Sequence, residues 1–78
     1  MTNLEKYNQV FISNLRVTED QLPGLSYQAI PSWDSVGHMG LVATLEETFG
    51  IMVQGEDILN FTTYENGKQM LNIYKIDI

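Results

Sequence analysis

An aspartate followed directly by a serine, Asp34-Ser35, with the only histidine of the chain three residues further on at His38, is where this sequence could do chemistry. Asp34 has the side chain of a helix cap, and a helix opening at Ser35 would point unpaired backbone amides and the positive end of its dipole toward a phosphate esterified to the serine. Read as a hydrolytic triad, the same three residues fail on geometry. A general base must reach the serine while its own partner orients it from the far side, which one helical turn does not allow. The sequence offers no obvious oxyanion hole, so an enzyme is not expected. A single histidine and no cysteine leave no set of ligands for a zinc site and no disulfide framework.

The elements that must hold this segment can be read from periodicity. Leu4, Tyr7, Val10, Phe11 and Leu15 recur at three- and four-residue intervals and predict a first helix over Asn3 to Leu15. From Arg16 to Asp34 the periodicity disappears and Pro23-Gly24 and Pro31 punctuate a long loop. Leu22, Leu25, Tyr27 and Ile30 are its candidate tethers, with Trp33 packing near its end. Leu41, Val42, Leu45 and Phe49 form the core stripe of a second helix from Ser35 to Phe49, and Gly50 fits its stop. Gly55-Glu56-Asp57-Ile58-Leu59 allows only a turn or two of helix, with both acids where a helix start favours negative charge. Thr62-Thr63-Tyr64-Glu65 reads as a capping box opening a last helix that carries Tyr64, Met70, Leu71 and Tyr74 on one face. The fold class expected is all-α: a four-helix bundle of three longer helices and one short one, with a long loop between the first and second.

Length and charge bound the rest. The chain has 78 residues, room for one domain over 1–78, with no repeat or linker. Ten acidic residues against four basic ones give a net charge of −6, which disfavours nucleic acid and favours partners with basic docking surfaces. No segment has the length or apolarity of a membrane span and the N-terminus lacks the apolar stretch of a signal peptide, so a cytoplasmic monomer without membrane insertion is expected.

Projected at about 100° per residue with Ser35 at zero, the second helix has its core stripe near 300°, while Val36, Met39 and Ala43 lie on a separate strip between about 40° and 100°. That strip, flanking Ser35 and bordered by Glu46 and Glu47, has the form of a docking site with an apolar centre and a charged rim. Asp34-Ser35-Val36 resembles the Asp-Ser-Leu attachment motif of acyl carrier proteins. Leu41 to Ile51 is similar to that family's second helix and its exit, Gly55-Glu56-Asp57 to the acidic start of its third, and Phe61-Thr62-Thr63 to the lead into its fourth. The resemblance covers essentially the whole chain.

It implies an acyl-carrier-like bundle in which Ser35 bears a covalent 4′-phosphopantetheine taken from coenzyme A, with acyl intermediates held as thioesters on the arm. The implied partners are a phosphopantetheinyl transferase that recognises Asp34, an acyl-loading ligase or transferase, and downstream acyl-processing enzymes. Val36, Met39 and Ala43 would meet them, with Glu46, Glu47, Glu56 and Asp57 as the acidic rim. His38 either caps the mouth of the core or touches the arm or its phosphate. An aminoacyl or peptidyl carrier and an unmodified helical interaction module are the alternatives. Many members of the family carry acids a few positions after the serine, where this chain has Gly37 and Gly40, so a specialised biosynthetic pathway rather than housekeeping fatty-acid synthesis is expected.

Overall fold

Each of the three longer helices begins at a side chain that caps it. In a computed structural model describing residues 1–78, Thr2 and Glu5 close a capping box on α1 (Asn3–Leu15), and Asp34 caps α2 (Ser35–Phe49). The short α3 (Gly55–Asn60) starts without a side-chain cap, and Thr63 opens α4 (Tyr64–Ile73). Arg16 ends α1 and Gly50 ends α2 in the left-handed conformation that stops a helix, which costs glycine least. One 3-10 turn, Glu19–Gln21, interrupts the loop between α1 and α2, and no strand forms. The architecture is the all-helical, four-helix one read from the sequence.

The interior is one cluster in which aromatic rings dominate. Tyr7 and Phe11 of α1 meet Trp33 of the loop, Phe61 before α4 and Tyr64 of α4, with Phe11 set edge-on to Trp33 at 5.4 Å, to Tyr64 at 5.4 Å and to Phe61 at 6.1 Å. Such edge-to-face pairs add to the area they bury. Leu15, Leu22, Leu41, Leu45 and Leu71, with Val10, Val17, Leu25, Val42, Val53 and Met70, complete the core. Leu4, expected on the same face of α1, is 42% exposed, so that face is buried only from the second turn onward.

The long loop is held to α4 by backbone as well as by side chains. Tyr27 N–H donates to the Thr62 carbonyl at 2.8 Å and Tyr64 N–H to the Leu25 carbonyl at 2.9 Å, around an antiparallel bridge between Ser26 and Thr63. Leu22 and Leu25 are buried, and Tyr27 and Ile30 half-buried, as the tethers anticipated. This bridge also corrects the expected capping box. Thr62 and Thr63 are drawn into extended backbone, so α4 starts one residue later, with Thr63 accepting from Asn66 N–H and Asn66 accepting from Thr63 N–H, both at 2.9 Å. Glu65, freed from that duty, accepts from Gly24 N–H at 2.9 Å and secures the loop's turn.

Candidate functional site

Ser35 is the first residue of α2 and is exposed. Its position follows from Asp34, whose carboxylate accepts from Gly37 N–H at 2.8 Å while its carbonyl accepts from His38 N–H at 2.8 Å. The amides of Ser35 and Val36 are left without an acceptor in the chain, and the Ser35 hydroxyl has no side-chain partner. A phosphodiester on Ser35 fits this end of α2: free amides and the helix dipole are the donors an anion needs, and an exposed hydroxyl can be reached by a modifying enzyme.

Gly37 is fixed by a close approach. A Cβ there would collide with the Ser32 carbonyl oxygen, so the loop can cross the first turn of α2 only over a glycine. At Gly40 a Cβ would lie 3.3 Å from Asn14 Oδ1, at the point where Asn14 Nδ2 donates to Thr44 Oγ1 at 3.2 Å and joins α1 to α2. Both glycines thus have a packing cause.

His38 points into the molecule. Trp33 Nε1–H donates to His38 Nδ1 at 3.0 Å, and His38 Nε2 is 2.9 Å from the Ile58 carbonyl oxygen of α3. Because the indole can only donate and the carbonyl only accept, the ring carries its proton on Nε2 and is neutral. It lies nearly parallel to the Trp33 ring, at 19° and 6.2 Å between centroids. Both ring nitrogens are therefore engaged away from Ser35.

Beside Ser35 a groove of about 260 Å³ runs between α2 and α3, lined by Tyr27, Ser35, His38, Met39, Ile58, Leu59, Phe61 and Thr62. His38 closes the core, as one of its two expectations has it, and the same ring lines the groove beside Ser35. Val36 and Met39 are exposed at 78% and 53%, and Ala43 is exposed on the same strip. Leu59, 80% exposed, extends this apolar surface across the groove and was not singled out in the sequence. The available signal was the pair Ile58-Leu59 on a helix too short to bury both.

The acidic rim divides in two. Glu47 and Glu56 are exposed. Glu46 is half-buried and accepts from Val53 N–H at 2.9 Å, tying the exit of α2 to the chain beyond it. Asp57 accepts from the Tyr74 hydroxyl at 2.5 Å, a hydrogen bond that holds the phenol's pKa above its usual value. Glu46 and Asp57 thus have structural duties that a solvated rim does not require.

Comparison with protein-family models, with curated proteins and with solved structures finds no match for this chain. No helix is long and apolar enough to cross a membrane.

Proposed function

We propose that this chain is an acyl carrier protein, with Ser35 the attachment point of a 4′-phosphopantetheine arm. The observation that carries the proposal is the state of Ser35: an exposed hydroxyl at the start of a 15-residue helix, next to two unpaired amides and opening onto an apolar groove. The bound arm supplies a thiol that holds an acyl group as a thioester, so a chain without cysteine suffices. A transferase would direct the Ser35 hydroxyl oxygen at the phosphorus of coenzyme A that bears the pantetheine, forming the phosphodiester as 3′,5′-ADP leaves and the hydroxyl proton passes to a base.

The roles of this chain's own residues are positional. Asp34 fixes the first turn, so that the Ser35 hydroxyl is presented at a defined place. Val36, Met39, Ala43 and Leu59 offer apolar surface to transferases, loading ligases and acyl-processing enzymes, with Glu47 and Glu56 available to basic groups on those partners. Tethering raises the local concentration of the intermediate at each enzyme in turn, which is the work a carrier does without catalysing a step. The engagement of His38 with Trp33 and Ile58 supports this reading over hydrolysis, because it leaves no base on Ser35.

The test is intact-mass measurement after incubation with coenzyme A and a broad-specificity phosphopantetheinyl transferase. The expected result is one added arm per chain, absent from Ser35→Ala. No gain, or a gain that survives Ser35→Ala, would refute the proposal, and the former would leave the Val36-Met39-Leu59 surface as that of an unmodified interaction module.

A further inference from the structure

Three cavities indent the surface, and Ser35 opens onto one of them, the groove between α2 and α3. The groove has a floor. His38 closes it toward the core, with Trp33 bonded edge to edge behind it at 0% exposure and Phe61 beside it at 1%. The Phe61 ring centroid is 5.2 Å from His38 and 5.8 Å from Trp33, so the aromatic interior is filled up to the histidine.

The groove also has a fastening. His38 Nε2–H donates to the Ile58 carbonyl at 2.9 Å and joins α2 to α3 across its base, while Trp33 Nε1–H holds the other ring nitrogen at 3.0 Å. Moving α3 outward to admit a chain would break the first bond. Rotating His38 aside would break both and leave the indole N–H of a fully buried Trp33 without an acceptor.

From this closure, and resting on the carrier reading of Ser35, we infer that His38 is the residue that keeps an alkyl chain carried on the arm out of the interior, so that the chain lies in the surface groove. His38 acts here as a specificity-determining residue. Met39, Ile58 and Leu59 line the groove that a cargo held outside the core would meet.

The experiment loads Ser35 from a series of acyl-coenzyme A thioesters, acetyl to dodecanoyl, and follows loading by intact mass, stability by Tm and the interior by the emission of Trp33, the only tryptophan. Each methylene that entered the core would raise Tm by about 3–6 °C in a domain this small. The expected result is a Tm that levels off before dodecanoyl, once the groove is filled, with Trp33 emission unchanged through the whole series. A Tm that climbs steadily to dodecanoyl, or an emission that shifts with chain length, overturns the inference while leaving the carrier reading intact. Failure to load overturns both. In His38→Ala the climb with chain length should appear, and a folded His38→Ala series as flat as the wild type would overturn the role of the histidine. Should that variant not fold, the emission of the wild-type series decides alone.

Discussion

Trp33 Nε1–H donates to His38 Nδ1 at 3.0 Å, and the opposite nitrogen of the same ring donates to the Ile58 carbonyl at 2.9 Å, so one histidine links the loop, α2 and α3. His38→Ala removes both bonds and the ring that covers Trp33. The expected loss is about 2–4 kcal/mol in urea unfolding, and His38→Gln, which can both accept and donate, should lose less. A His38→Ala variant as stable as the wild type would remove the link from the account of the fold.

Two glycines should respond oppositely to alanine. Gly37→Ala sets a Cβ against the Ser32 carbonyl oxygen and forces the loop off the first turn of α2, at an expected cost above about 2 kcal/mol. Gly55→Ala meets nothing within 4 Å at the start of α3 and should raise stability by about 0.4–1 kcal/mol, by restricting the unfolded chain. Thermal unfolding of the pair checks both signs.

The neighbouring acids Glu46 and Glu47 should separate by assay. Glu46→Ala leaves Val53 N–H without its acceptor and should lower stability by about 1–2 kcal/mol. Glu47→Ala should leave stability within about 0.5 kcal/mol of the wild type, as is typical of surface changes, and should alter only the rate and salt dependence of partner association. Equal Tm losses in the two would contradict the division of the rim.

Alkaline pH should destabilise the fold through Tyr7. Its hydroxyl donates to the Tyr64 carbonyl at 2.6 Å, and burial, with the nearby Tyr64 and Glu65 adding to it, pushes the phenol far above its usual range. The folded chain keeps this proton where the unfolded chain releases it, so the stability it contributes is intact below about pH 10 and is lost as pH rises beyond. Tyr7→Phe should cost about 1 kcal/mol at neutral pH and flatten the alkaline fall, measured as unfolding free energy against pH. An unchanged alkaline slope would place the effect on Tyr64 or Tyr74, whose phenols are also raised.

By itself the sequence determined the helices and the place of Ser35 at the start of one of them, because both are set by neighbours in the chain. Apolar spacing places Tyr7, Val10, Phe11 and Leu15 on one face of α1, and an aspartate before Ser35 caps the next helix wherever that helix lies. What only the tertiary structure decided depends on residues far apart in the chain. The Ser26–Thr63 bridge moved the start of α4 by one residue, from Thr62 to Thr63 as cap, since a pairing across 37 positions outweighed the local capping pattern. The groove beside Ser35 needs Ile58, Leu59 and Phe61 brought against α2, and no periodicity within one helix encodes that approach. His38 shows the division most clearly: its spacing put it near the core stripe, but whether it faced the serine or the core was fixed by where Trp33 and the Ile58 carbonyl came to rest, two polar partners that a half-buried imidazole must find.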